Sequence, residues 1–269
     1  MTNIFIYIIF IFTGFITGSL SGLLGIGGGL IIVPILAYSF KLLNLPEQFL
    51  MHYAIGTSLS IILVNVSSST YFHNKKKRID WNLYSKMAIF TAIGSTVGAF
   101  IAFKIDKETL KMVFATYVTL VALKMLFFSN KDHQSAKVTP NSAYSIVGLI
   151  IGTKSSILGI GGGTISIPFL TWRGHSMIDA VGISAALGIP ISIFGSASYL
   201  YNGLKTGIEV DMAIGFIYFP ALFGCMITIP FASRLGASYA HKIDQQKLKK
   251  FFGLLLMIIA IRTFIKNLN

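Results

Sequence analysis

The sequence predicts an all-α, polytopic membrane protein made of two related halves, each with four hydrophobic blocks. Of the 269 residues, 54% are hydrophobic and 12% are charged, whereas soluble domains average about 25% charged residues. Apolar stretches of membrane-spanning length recur along the whole chain, and one glycine-rich motif occurs twice. The strand-like alternation that is typical of outer-membrane barrels is absent from the sequence.

Eight apolar blocks follow one another, each of about the length that a membrane-spanning helix needs. The connections between them are loops of about 5 to 20 residues, so the chain has no room for a sizeable soluble domain. The first and fifth blocks have 37 and 30 residues, which is more than one crossing requires. In chain order, the blocks cover residues 4–40, 48–72, 87–103, 112–130, 143–172, 180–204, 212–233 and 251–265.

An internal repeat relates the two halves. Residues 14–36 and 148–170 align without gaps and share 13 of 23 positions, including the motif LGIGGG and a proline. A weaker match follows, between AIGTS at 54–58 and AVGIS at 180–184. Chance similarity between apolar segments does not produce such an alignment. We therefore expect two tandem repeats with the same order of membrane elements.

The distribution of Lys and Arg predicts that the repeats are inverted, because cytoplasmic loops collect these residues. If each block crosses once, the 21 Lys and Arg outside the blocks divide 11 against 10. If the first and fifth blocks fold back as broken or re-entrant hairpins, they divide 14 against 7. The unequal division, with most Lys and Arg on one side of the membrane, favours the model in which each half has one hairpin and three membrane crossings. The predicted membrane repeats are residues 1–130 and 143–269, joined by a cytoplasmic linker at 131–142.

Each glycine cluster is predicted to lie at the tip of a hairpin, inside the membrane. A short helix of about ten residues, roughly 15 Å long, follows each cluster, and Pro34 or Pro168 fits its first turn. Unwound backbone at this depth is tolerated where it lines a cavity or is buried in protein. Two helix N-termini with free N–H groups would then face the centre, which favours an anion. Close packing of helices at the glycines is the structural alternative.

The candidate substrate-binding residues combine these clusters with hydroxyl groups and one lysine. Lys154 is the one unambiguous charge deep inside a block, so it either faces a polar cavity as a charge partner or snorkels to an interface. Hydroxyls on the second and sixth blocks can donate to an oxyanion, or can bond to neighbouring backbone. The candidate set is Gly25, Gly27, Gly28, Gly29, Thr57, Ser58, Lys154, Ser155, Gly159, Gly161, Gly162, Gly163 and Ser184.

Several other functions are not favoured by the sequence. The single cysteine, Cys225, and the scattered histidines provide no metal-ligand spacing, so we expect neither a metal nor a cofactor. No paired nucleophile and base is present, so we do not expect an enzyme. The net charge is +13. The Lys and Arg residues responsible for it lie mostly in the loops beside the blocks, where anionic lipids and membrane topology account for them, so we expect no nucleic acid partner. All nine carboxylates lie in loops or near block ends, so no carboxylate proton relay is visible.

The repeated motifs resemble the TauE/SafE sulfite exporter family, also called the four-toluene sulfonate uptake permease family. The resemblance rests on GLLGIGGGLIIVPIL at 22–36, SILGIGGGTISIPFL at 156–170 and AIGTSL at 54–59. The two-half layout covers essentially the whole chain, although Ile183 stands where the first half has Thr57. The resemblance implies transport of sulfite, sulfonates or related sulfur oxyanions across the cytoplasmic membrane, mostly as export.

We therefore predict a multi-pass transporter of the bacterial cytoplasmic membrane that exports a small sulfur oxyanion held near the bilayer midplane. An anion that leaves a cell with a negative interior gains about 2.3 kcal/mol per charge per 100 mV, so export needs no further driving force. A passive anion channel and a transporter of other small carboxylates or oxyanions stay open as alternatives. The expected partners are the anionic substrate and the lipid bilayer, and the sequence leaves a homo-oligomer open.

Overall fold

The structure is a computed structural model that describes residues 2–24, 27–127, 141–239 and 245–268. Within these ranges the predicted all-α fold is confirmed, with ten α-helices. They are α1 Thr2–Leu24, α2 Gly29–Leu42, α3 Leu50–Lys75, α4 Trp81–Phe103, α5 Lys107–Phe127, α6 Asn141–Leu158, α7 Gly163–Trp172, α8 Met177–Leu204, α9 Phe219–Tyr239 and α10 Gln245–Leu268. A 3-10 turn, Glu47–Phe49, precedes α3, and two short antiparallel strands, β1 Ala213–Ile214 and β2 Ile217–Tyr218, precede α9.

Six helical stretches of the described chain are long and apolar enough to cross a membrane, which confirms the predicted polytopic membrane protein. Two further apolar helices, Gly29–Leu42 and Ser142–Leu158, are shorter. The six long stretches are Phe5–Leu23, Glu47–Lys75, Trp81–Phe103, Lys107–Phe127, Met177–Leu204 and Phe219–Gly236. Most of the proposed linker, residues 131–140, lies outside the described residues.

The first and fifth predicted blocks are each broken into two helices, and the break falls at the glycine cluster. α1 ends before the first cluster and α2 begins within it, while α6 and α7 flank the second cluster in the same way. Pro34 and Pro168 are the sixth residues of α2 and α7, not part of the first turn as expected. Because only the first four amides of a helix lack an intrahelical acceptor, each proline removes one helical hydrogen bond.

The two halves interlock through equivalent helix pairs. α1 packs against α9, and the corresponding helix of the second half, α6, packs against α4. α3 packs against α8 and α5 against α10, which are themselves equivalent helices, and α4 also packs against α8 as α9 does against α3. Exchange of the halves therefore converts each of these pairs into itself or into another pair that is present.

The equivalent helices α3 and α8 run in opposite directions at the centre of the molecule. A Cβ placed on Gly188 would lie 2.6 Å from the Val66 side chain, and one placed on Gly195 would lie 2.9 Å from that of Leu59. Residues later in α8 therefore contact residues earlier in α3, so the two helices are antiparallel. Opposed equivalent helices are expected of inverted repeats, while the orientation of each half in the membrane stays a prediction.

The turn between β1 and β2 folds into the space beside the N-terminal part of α3. The ring of Phe216 is buried and lies 5.1 Å from that of Phe49, 5.3 Å from that of His52 and 5.2 Å from that of Tyr53, between centroids. We call these four residues the aromatic cluster. It fills the interior between the centre of α3 and the end at which α3 begins.

Candidate functional site

The two glycine clusters contact each other halfway along α3. A Cβ added to Gly27 would lie 3.1 Å from Gly161 Cα, and one added to Gly29 would lie 2.5 Å from the carbonyl oxygen of Gly159. The same Cβ on Gly29 would lie 2.9 Å from Ile62, which stands at the middle of α3. Any side chain at these positions would push the clusters apart, so glycine is required for their close approach.

The backbone of both clusters adopts conformations that side chains disfavour. Gly27 and Gly28 have φ of 78°, and Gly159 has φ of 66°, in the left-handed region where glycine carries no steric penalty. α2 and α7 begin directly after these turns, at Gly29 and Gly163, and neither has a side-chain cap. The third and fourth amides of each helix donate to the carbonyl oxygen of Gly28 or Gly162, so only the first two amides of each helix are available to a ligand.

Two polar side chains of α3 hold the clusters in place. The Ser58 hydroxyl donates to the carbonyl oxygen of Gly159 at 2.7 Å. The side-chain amide of Asn65 donates to the carbonyl oxygen of Gly27 at 3.4 Å. Both side chains are fully buried. Ser58 therefore binds backbone in this structure, which is the structural alternative to an anion contact.

A small hollow lies beside the contact between the clusters. Its volume of about 10 Å³ is close to the space that a single water molecule needs. The described residues that line it come from both halves and include neither a carboxylate nor a cation. They are Ser21, Gly27, Val66, Ser69, Gly161, Gly162, Gly163, Ser184 and Ala185.

Three serine hydroxyls belong to this hollow. Ser184 hydrogen-bonds to Ser166 at 2.8 Å between the oxygens, whereas Ser21 and Ser69 are buried and have no hydrogen bond to any described residue. Ser21 and Ser69 are not among the site residues predicted from the sequence. The internal repeat already paired Ser21 with Ser155, which was the available signal, whereas nothing in the run VSSST at 66–70 distinguishes Ser69.

Lys154 does not line the hollow but a separate groove of about 370 Å³ between α5 and α6. Its Nζ donates to the Tyr117 hydroxyl at 2.7 Å and to Thr164 Oγ1 at 2.6 Å, and it lies 4.5 Å from the centre of the Tyr117 ring. No carboxylate of the described chain lies within ion-pair distance of it. Its link to the hollow is Thr164, the residue that follows Gly163 of the lining.

The remaining candidates are distributed as follows. Thr57 accepts a hydrogen bond from the amide of Tyr218 at 3.0 Å, so its hydroxyl holds the end of β2. Ser155 is buried without a hydrogen-bond partner in the described structure and does not line the hollow. Gly25 lies outside the described residues. The structure thus brings together Gly27, Gly161, Gly162, Gly163 and Ser184 at the hollow, with Gly28, Gly29, Ser58 and Gly159 directly behind it.

The arrangement suits a ligand that accepts hydrogen bonds. The hollow offers backbone N–H and serine O–H groups, both of which bind oxygen atoms that carry negative charge. Within the described part of the chain, no group of three or more His, Cys, Asp or Glu is placed to hold a metal ion.

Comparison with known proteins agrees with this architecture. A protein from Haemophilus influenzae named "Probable membrane transporter protein" is 37% identical over 254 residues, which cover 94% of this chain and 96% of the relative. Two others carry the same description. One, from Methanocaldococcus jannaschii, is 31% identical, and the alignment covers 93% of this chain and 92% of the relative. The other, from Bacillus subtilis, is 24% identical, and the alignment covers 94% of this chain and 95% of the relative.

The family model "Sulfite exporter TauE/SafE" matches residues 10–263 of this chain. This match spans both glycine clusters and every helix pair described above. The family and the relatives are named as transporters and not as enzymes. The chain is therefore a multi-pass membrane transporter that belongs to the TauE/SafE sulfite exporter family.

Proposed function

We propose that the protein exports a small sulfur oxyanion, such as sulfite or an organosulfonate, and binds it near the bilayer midplane between the two glycine clusters. The observation that carries this proposal is the contact of the clusters halfway along α3, beside a hollow lined by hydroxyls from both halves. The family is named for sulfite export, and unpaired amides at helix N-termini suit a compact oxyanion.

In this proposal, the substrate oxygens accept hydrogen bonds from amides at the start of α7 and from Ser184. Ser21 and Ser69 add hydroxyls that have no competing partner among the described residues. Gly25, Gly28 and Gly29 supply the corresponding backbone of the first half. Lys154 attracts the bound anion without touching it, because the electrostatic field of a positive charge is poorly screened in the low-dielectric interior.

The substrate crosses when the two inverted halves rock against each other around this site. The opposite directions of α3 and α8 support inversion, and inverted repeats with a site at broken helices are a recurring design of secondary transporters. The hollow in this structure is too small for an oxyanion, so the site must widen before it can bind one.

Flux measurements on purified protein in liposomes test this proposal. We expect saturable efflux of radiolabelled sulfite or a small alkylsulfonate, with counterflow, and faster efflux when the potential repels the anion from the lumen. Sulfate and acetate serve as competitors. Failure to move any sulfur oxyanion would exclude the substrate class, and a current that does not saturate would favour a channel.

A further inference from the structure

A second cavity, far larger than the hollow, lies between α2, α3, α5 and α10. We call it the α2–α10 cleft. Its volume is about 650 Å³, within the range of roughly 300–1,000 Å³ that is typical of ligand sites. Most of its wall is apolar and includes Val33, Met51, Phe114 and Ile259. Nothing in the proposed transport site uses this space.

Four basic residues line the cleft, at positions that place them near one membrane surface. Lys41 is the penultimate residue of α2, while Lys107 and Lys111 lie in the first turns of α5. Arg262 joins them from the last third of α10. Along α2, the apolar wall reaches from Lys41 down to Val33, about 12 Å deeper at 1.5 Å per residue. The cleft therefore has a basic mouth and an apolar interior.

The cations at the mouth are only partly neutralised. Lys107 Nζ lies 3.0 Å from Glu47 Oε1 and 3.2 Å from Glu108 Oε1, and Lys111 Nζ lies 4.0 Å from Glu108 Oε2, so these two lysines engage both carboxylates of the cleft. Lys41 forms no ion pair or hydrogen bond with a described residue. The Arg262 guanidinium lies 5.1 Å from the centre of the Tyr38 ring and has no carboxylate partner in the described chain. Two positive charges are thus left for a ligand.

We propose that the α2–α10 cleft binds an anionic phospholipid, with its phosphate at Lys41 and Arg262 and an acyl chain along the apolar wall. A small free anion would not need the apolar interior, and a lipid of zero net charge would leave the excess positive charge uncompensated. Basic residues at a membrane surface attract anionic lipids. The lipid would lie against α2, the helix that begins within the first glycine cluster, and so would support its position.

Thermal unfolding of the full-length protein in neutral detergent tests this proposal with three probes: phosphatidylglycerol, phosphatidylcholine and glycerol 3-phosphate. We expect phosphatidylglycerol to raise Tm by about 3 °C or more through mass action, and the other two probes to leave Tm unchanged. An equal response to glycerol 3-phosphate would indicate a free-phosphate site. An equal response to phosphatidylcholine would remove the role of charge. Either result overturns the proposal.

Two variants test the two parts of the cleft. Lys41→Gln/Arg262→Gln should weaken the apparent affinity for phosphatidylglycerol about thirtyfold. Ala37→Trp should abolish the response, because Ala37 lines the cleft. The matched control is Lys104→Gln/Lys205→Gln, which removes two exposed cations outside the cleft, of which Lys205 lies over the Tyr201 ring as Arg262 lies over Tyr38.

The control should retain the full response, and a control that loses it as the cleft variant does would contradict the assignment. A cleft variant that keeps the wild-type affinity would also contradict it. If a variant does not fold, the comparison of the three probes on the wild-type protein decides alone. A second copy of the chain in the cleft would appear as a dimer whose formation Ala37→Trp prevents. Because the readout is binding, its outcome is separate from that of the flux assay.

Discussion

Serines at equivalent positions of the two halves make different contacts. Ser58 donates to the backbone of the second glycine cluster, whereas Ser184 lines the hollow. Ser69 also lines the hollow, and its hydroxyl has no partner among the described residues. Because the Ser69 hydroxyl makes no hydrogen bond to a described residue, its removal should cost the fold little. A substitution at Ser69 therefore tests substrate contact directly.

Ser69→Ala should therefore leave Tm nearly unchanged while raising the KM for transport roughly tenfold, since a hydrogen bond to a charged group contributes about 1.5–3 kcal/mol. The measurement is initial efflux from liposomes at several substrate concentrations. Ser198→Ala is the matched control, because Ser198 is buried on α8 and donates to the carbonyl oxygen of Phe194 at 2.7 Å, away from the hollow. Equal effects of both substitutions would argue against substrate contact at Ser69.

Lys154 differs from most buried charges because no carboxylate of the described chain pairs with it. Lys154→Met removes the charge and keeps an apolar stem of similar length. We expect the fold to persist and the KM to rise, because the substrate loses a nearby positive charge. Tyr117→Phe removes one hydrogen-bond partner of Lys154 and leaves the charge, so it should retain near-normal KM. If both variants behave alike in the flux assay, the role of Lys154 is structural.

At the scale of elements, the helix breaks depend on glycine for two distinct reasons. Gly27 combines a positive φ with the backbone of Gly161 at contact distance. Gly162 has φ of −65° and would direct a Cβ to 2.9 Å from Ile151 Cγ2 and 3.1 Å from Ile191 Cδ1. These side-chain methyl groups can shift by a few tenths of an ångström more easily than backbone atoms can. Individual glycines of the two clusters therefore differ in their tolerance of substitution.

Gly27→Ala should lower Tm by several degrees, since a left-handed conformation costs an alanine about 1–2 kcal/mol and the clusters must also separate. Gly162→Ala should change Tm by less than about 2 °C. Thermal unfolding of both detergent-purified variants measures this difference. A Gly27→Ala protein as stable as Gly162→Ala would show that the clusters do not need their close contact.

The helix breaks were predictable because four glycines in five residues strongly disfavour a continuous helix. The positions of Thr57 and Lys154 were not, because each depends on a partner that is distant in sequence. Thr57 meets Tyr218 only after the segment before α9 folds back onto α3. Lys154 meets Tyr117 because α5 packs beside α6. Neither contact leaves a local pattern in the sequence. The internal repeat does leave one, and it predicted that the helices follow one another in the same order in both halves.

At the scale of the whole molecule, the hollow is displaced to one side of the glycine clusters. Ser69 lies in the C-terminal half of α3, and Ser184 lies in the antiparallel N-terminal half of α8. Both therefore face the end at which α3 terminates, beside the Lys-rich loop of residues 75–78 that we expect to be cytoplasmic. The aromatic cluster occupies the other side.

Ser69→Cys should consequently react with a membrane-impermeant thiol reagent from the cytoplasmic side and not from the other side. Substrate should slow this reaction. Labelling of oriented membrane vesicles measures it, with little background because the single native cysteine, Cys225, is buried. Ser58→Cys is the matched control at the equivalent of Ser184, and we expect it to stay unlabelled. Labelling of Ser69→Cys from the opposite side alone would reverse the assigned orientation.

The segment that carries Phe216 has no equivalent in the first half. The connection from α8 to α9 spans residues 205–218 and carries Phe216, whereas the connection from α3 to α4 spans only residues 76–80. Because the two sides of the hollow are filled so unequally, the two conformations of the carrier should differ in free energy. If the protein exports its substrate as proposed, the more stable conformation closes the extracellular side and leaves the cytoplasmic side ready to accept substrate.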